Sequence, residues 1–176
     1  MSSMTLDRAT LVTFVLRLAD DHLVLGHRLS EWCGHAPMLE EDLAMPNMAL
    51  DLIGQARALY AYAAEVEGKG RTEDDLAYLR REREYLNCLM VERPNGDFAH
   101  TMLRQLYFAA FMEPFWKAVA TSSDATLAGI AAKAVKEVAY HIHRLPILRS
   151  RLAHLRRWIE ATPLPFKSTE NAPIQD

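Results

Sequence analysis

The chain has 176 residues, 50% of them hydrophobic and 24% charged, with a formal net charge of −3 at pH 7. That supplies the core of one soluble domain, but not the basic surface that general nucleic-acid binding needs to neutralise phosphates. No apolar run nears the ~20 residues of a membrane span, and the opening MSSMTLDRAT lacks the basic-then-apolar order of a secretion signal.

The first predicted helix runs from Thr5 or Thr10 to Cys33. Leu11, Val15, Leu18, His22, Leu25, Leu29 and Trp32 recur at steps of four and three, which keeps one seam facing a partner helix. Val12, Ala19, Gly26 and Cys33 line its flank, where Gly26 suits a close helix approach. Gly34 and Pro37 supply the stop. The second helix opens on the acidic turn Glu40-Glu41-Asp42, favourable at the positive end of a helix dipole. Pro46 either kinks it or marks its true start. Its seam is Met48, Leu52, Gln55, Leu59, Tyr62 and Val66, and Gly68-Lys69-Gly70 ends it.

Thr72 caps a short third helix, with Asp75 three residues on. Leu76, Leu79, Leu86 and Met90 form its expected apolar face, and Arg80 to Glu84 a solvated one. After the turn Pro94-Asn95-Gly96, Asp97 caps a fourth helix. Its seam is Phe98, Met102, Gln105, Ala109, Met112 and Trp116, with Pro114 expected to bend it. Asp124 caps a fifth helix with the seam Leu127, Ala131, Ala134, Val138 and His141, ending near Leu145-Pro146. No strand pattern, hairpin turn or repeat stands out, so the fold class is all-α. Residues 1–145 read as a helical bundle. Residues 146–176 read as an atypical basic segment, with room for one short helix at 147–160, and a tail expected to be disordered.

Four long helices with a short extra helix between the second and third match a ferritin-like four-helix bundle. A di-iron bundle of that kind takes one glutamate from each of two helices and a Glu-x-x-His pair from each of the other two. Here Leu52 and Gln55 stand where the second helix needs glutamate and histidine. Gln105 is the polar residue of the fourth helix's seam, and in the fifth helix His141 falls one place late after Glu137. Amides cannot supply the charge that two irons demand, so no metal is expected.

Several alternatives stand. His22 is a hydrogen-bonded core histidine or a ligand. Gln55 and Gln105 form a buried polar network or face the surface. Glu137 and His141 make a buried ion pair or a helix-face contact. Glu31, His35 and His27 are a helix-end network or a metal face. Tyr60, Tyr62, Phe108, Phe111 and Trp116 are core or interface aromatics. Cys33 and Cys88, without CxxC spacing, fit buried thiols in a reducing cytoplasm better than disulfide or zinc chemistry.

The blocks LGHRLSEWCGHAP, ALDLIGQARALYAYAAE, ERPNGDFAHTMLRQLYF and AKAVKEVAYH, spread over about Leu18 to His143, together resemble the C subunits of phenylacetyl-coenzyme A epoxidase. The resemblance implies a ferritin-like, non-catalytic structural subunit of a bacterial multicomponent monooxygenase in phenylacetate catabolism. That enzyme epoxidises the ring of phenylacetyl-CoA with oxygen and NADPH-derived electrons. It carries its di-iron site in a related catalytic A subunit, the implied partner. After Arg144 the sequence departs from the family pattern, as a truncation or frame change in the coding sequence would produce. The candidate partner contacts are the corner Trp32, His35 and Pro37 and the second-helix face Arg57, Tyr60, Ala61 and Ala64. Self-association is a further expectation. The competing functions are a free-standing di-iron oxygenase or ferroxidase and a metal-free helical ligand-binding module.

Overall fold

The computed structural model describes residues 7–144; residues 1–6 and the expected C-terminal segment, 146–176, lie outside them. The elements are α1 (Arg8–Ser30), α2 (Leu39–Glu67), α3 (Glu73–Tyr78), a 3-10 turn (Glu82–Glu84), α4 (Leu89–Glu92), α5 (Phe98–Val119) and α6 (Ala125–Arg144). The described residues hold no strand.

The caps follow the local chemistry. Asp7, Thr72 and Asp97 each accept a backbone amide of the following turn, and Thr72 with Asp75 completes a capping box. Asp124 Oδ1 accepts from Leu127 N at 3.0 Å at the start of α6. Gly68 closes α2 in the left-handed region at φ 67°, where a side chain would be strained. Asp42 Oδ1 accepts from Gly34 N at 2.7 Å and Ala36 N at 3.2 Å, so the acidic first turn of α2 also ties down the α1–α2 corner.

Pro46 lies inside α2, which starts seven residues earlier at Leu39, and Pro114 lies inside α5. Pro114 is exposed and Pro46 half-buried, and each leaves the carbonyl four residues earlier without its amide donor.

α1, α2, α5 and α6 form the bundle. α1 meets α2 at Asp20–Tyr60 and α5 at His22–Phe108. α6 meets α2 at Glu137–Gln55 and α5 at His141–Gln105. Second contacts set the directions: Gly26 near Ile53 on α2, Phe14–Phe115 on α5, and Asp51–His141 between α2 and α6 each run in reverse order to the first. These neighbours are therefore antiparallel, and α2 and α5 run in the same direction. The 68–97 connection must therefore travel back along the bundle, as ferritin-like folds with one long crossover require. It does so beside α1: Asp20 is bound by Arg80, Asp21 by the Cys88 amide, and the Arg28 carbonyl by Asn95.

α1 and α2 approach each other closely at Gly26. A Cβ there would lie 2.8 Å from Ile53 Cγ1 and 3.3 Å from the Ala49 carbonyl. The four expected seams are buried or half-buried throughout.

The crossover departs from the sequence reading. The expected continuous third helix is broken into α3, the 3-10 turn and α4, leaving Leu79 and Leu86 exposed. Arg80 is not on a solvated face: its guanidinium is buried against Asp20 because the segment turns inward there. Phe111, on the outward side of α5, is 65% exposed. Both cysteines are free and exposed rather than buried.

Candidate functional site

Polar side chains from all four core helices meet in the middle of the bundle. Gln55 Nε2 on α2 donates to Glu137 Oε2 on α6 at 2.8 Å, and Lys133 lies 3.4 Å from the other carboxylate oxygen. His141, also on α6, places Nε2 3.0 Å from Asp51 Oδ2 on α2, and its Nδ1 lies 3.4 Å from Gln105 Nε2 on α5. Asp51 is an acceptor, so His141 carries its proton on Nε2 and leaves Nδ1 to accept from the amide. Leu52 is buried one position beyond Asp51 and contributes no polar atom.

His22 on α1 is fully buried. Its Nδ1 lies 2.6 Å from the Leu18 carbonyl, which can only accept, so Nδ1 bears the proton. Burial lowers its pKa to about 4; the Leu18 carbonyl and the Gln55 side chain oppose that shift, and His141 adds to it. His22 is therefore neutral at pH 7. Phe108 and Trp116 flank the ring at 5.2 and 5.6 Å between centroids. Burial also lowers the pKa of His141, against the pull of Asp51 and Glu137.

The residues singled out in the sequence thus fall into two groups. His22, Gln55, Gln105, Glu137 and His141 belong to one polar centre, while Leu52 is core. The centre does not suit a pair of irons. Its two carboxylates are already engaged by His141 and by Gln55 with Lys133. Among the described residues, no group of three or more His, Cys, Asp and Glu side chains is arranged to hold a metal ion. Asp51 was missed in the sequence because it sits beside the apolar seam rather than in it.

The expected partner contacts separate differently. Tyr60 is buried, not on an outward face: its hydroxyl donates to Asp20 Oδ1 at 2.5 Å, so it is withdrawn from any partner. Ala64 is buried too. Arg57 projects outward, 3.3 Å from Glu73, and Ala61 is exposed. Trp32 is half-buried, donating to Thr101 Oγ1 at 3.0 Å and packing edge-on against Phe98, whereas His35 and Pro37 are exposed.

Glu31 is held by Arg28 and Asn95, and His35 by the Cys33 carbonyl, so these residues form helix-end contacts rather than a shared ligand set. Two apolar rows carry no signal in the seam pattern. Leu39, Leu43 and Leu50 on α2 and Leu103, Tyr107 and Phe111 on α5 are exposed, spaced four or seven apart on the sides facing away from the core.

A cleft of about 880 Å³ lies outside the bundle, between α1 and the crossover, lined in part by Val24, His27, Tyr78, Arg83 and Tyr85. No helix among the described residues is long and apolar enough to cross a membrane.

Comparison with known proteins agrees with this architecture. The model of the phenylacetic acid catabolic protein family matches residues 2–155, beyond both ends of the four sequence blocks between Leu18 and His143. The chain is 52% identical over 132 residues to the C subunit of 1,2-phenylacetyl-CoA epoxidase from Escherichia coli (strain K12). That alignment covers 75% of this chain and 53% of the relative, so the chain spans about half the length of the curated protein it matches.

Proposed function

The chain belongs to the phenylacetic acid catabolic protein family, and on that premise we propose that it is a non-catalytic structural subunit of a multicomponent monooxygenase. That enzyme epoxidises the ring of phenylacetyl-CoA, and this chain holds its homologous di-iron catalytic subunit. One observation carries the reading: Gln55, Gln105 and Leu52 occupy the bundle centre, where a di-iron bundle needs ionisable ligands. The carboxylates close by are already spent on His141, Gln55 and Lys133. The chain itself then carries no iron and takes part in the reaction through assembly. Its free, exposed Cys33 and Cys88 suit the reducing cytoplasm in which we place it.

The exposed apolar rows on α2 and α5 support assembly, since a bundle working alone has little use for Leu43, Leu50, Tyr107 and Phe111 in water. A stable obligate interface buries roughly 2,000 Å² or more in total. Arg57, His35 and Pro37 remain available to it; Tyr60 does not.

Co-expression with a catalytic di-iron subunit, followed by size-exclusion chromatography and iron analysis of each chain, tests the proposal. Co-elution is expected, with iron confined to the partner. Separate elution of two folded proteins overturns the structural role. Two tightly held irons on this chain, after loading under reducing anaerobic conditions, overturn the non-catalytic one.

A further inference from the structure

Three buried acceptor atoms at the bundle centre have no hydrogen-bond partner: His22 Nε2, Gln55 Oε1 and Gln105 Oε1. Their side chains are 0%, 3% and 0% exposed. Each atom's role is fixed by what the other end of its side chain does. The Nδ1 proton of His22 goes to Leu18, so Nε2 offers a lone pair. Glu137 can only accept, which turns the Gln55 amide nitrogen toward it and leaves the oxygen free. His141 Nδ1 accepts likewise from the Gln105 nitrogen, and Gln105 Oε1 is left free in the same way. Gln55 is bonded to Glu137 and Gln105 to His141, and these two partners stand four residues apart on α6. His22 packs edge-on against Phe108, three residues beyond Gln105 on α5, so the three side chains share one locality.

We propose that this centre is a hydration site, in which a buried water molecule donates to two of His22 Nε2, Gln55 Oε1 and Gln105 Oε1. A buried acceptor left without a donor costs free energy, and a donor placed among these atoms removes that cost. Water supplies two donors in the volume of one atom and routinely joins buried polar groups that cannot reach each other.

A cation would also satisfy lone pairs, but the donor set opposes it. Among the described residues no group of three or more His, Cys, Asp and Glu side chains is arranged to hold a metal ion, and the Glu137 carboxylate is already paired with Lys133. The indole N–H of Trp116, whose ring lies beside His22, is buried and unpaired as well. That donor would repel a cation, whereas a water oxygen can accept it. This hydration site does not depend on which partner the bundle meets.

The test is a crystal structure of the chain, alone or in its complex, at about 1.5 Å or better, where amide orientation is assigned from the hydrogen-bond network. The expected result is a water within about 2.7–3.2 Å of two of the three acceptors. Nitrogen-15 spectra should show neutral His22 protonated on Nδ1. In solution, a long-lived water should cross-relax with the His22 ring protons. Three results overturn the proposal: an anomalous metal signal at the centre, a flipped amide donating directly to His22 Nε2, or no cross-relaxing water.

Discussion

Asp20 on α1 and Arg80 in the crossover form an ion pair across 60 positions of sequence, with side chains 0% and 6% exposed. Arg80 Nη1 lies 3.1 Å from Asp20 Oδ2. The carboxylate also accepts from the Tyr60 hydroxyl at 2.5 Å and the Leu86 amide at 2.7 Å. The guanidinium, 4.3 Å from the Tyr85 ring centroid, bonds the Leu76 and Glu84 carbonyls as well. One carboxylate therefore ties α1, α2 and the crossover together.

Removing either partner leaves the other charge buried without compensation, so Asp20→Ala or Arg80→Leu should cost about 3–5 kcal/mol. Arg57→Ala, whose ion pair with Glu73 is largely exposed, should cost at most about 1 kcal/mol. Urea unfolding of the three variants makes the comparison. A loss below ~1 kcal/mol at Asp20 would mean that the crossover is not anchored there.

Gln55 is the residue through which α2 reaches the Glu137 carboxylate. Gln55→Leu keeps the side chain's bulk but strands part of that carboxylate, and should destabilise by about 1–3 kcal/mol. If Glu137 turned to solvent and paired only with Lys133, the change would be close to neutral. Unfolding of Gln55→Leu beside Gln55→Leu/Glu137→Leu separates the cases. The double variant should recover part of the loss, because it removes the stranded acceptor.

His22 makes stability fall on the acid side of neutrality. Its folded pKa is about 4, below the ordinary 6.5, because burial disfavours the imidazolium. Above pH 6.5 the ring is neutral in both states, and its contribution is constant. Between 6.5 and 4 the unfolded chain binds a proton that the folded chain refuses, so stability drops as pH falls. The integrated loss approaches ~3 kcal/mol by pH 4. His141, also lowered by burial, acts in the same direction. Urea unfolding at pH 7.5 and pH 4.5 should show the fall, and a folded His22→Gln variant should show a shallower one. An unchanged slope in that variant would assign the fall to other groups.

The seams were readable because burial on a helix has a period, and His22, Gln55, Gln105 and His141 each sat on it. The antiparallel order also followed, since the short α1–α2 and α5–α6 links leave little choice. What the sequence hid was pairing at long range. Asp20 and Arg80 look like ordinary helix-surface charges until the crossover folds back, and no local pattern encodes that return. Tyr60 was misplaced for the same reason, because its outward appearance on α2 ignored a carboxylate waiting on α1. The crossover's breaks were concealed by Leu76, Leu79, Leu86 and Met90, whose spacing imitates a helix face although two of the four are exposed.

Gly26 and Gly54 test the closeness of α1 and α2 without touching a polar group. Both lie inside helices, where alanine in place of glycine is favourable by up to about 1 kcal/mol if the new methyl meets nothing. At Gly54 nothing lies within 4 Å of the added Cβ, so Gly54→Ala should stabilise by about 0.5–1 kcal/mol. At Gly26 the methyl would stand 2.8 Å from Ile53 Cγ1, which a rotation of that side chain could relieve. It would also stand 3.3 Å from the Ala49 carbonyl, which is backbone and can yield only if the helices move apart. Overpacking of that kind costs about 1–3 kcal/mol, more than the propensity gain, so Gly26→Ala should be net destabilising. In an Ile53→Ala background, which removes Cγ1, most of that penalty should remain if the carbonyl is the obstacle. Thermal unfolding of the variants decides the question, and a Gly26→Ala protein as stable as Gly54→Ala would mean that α1 and α2 do not approach this closely.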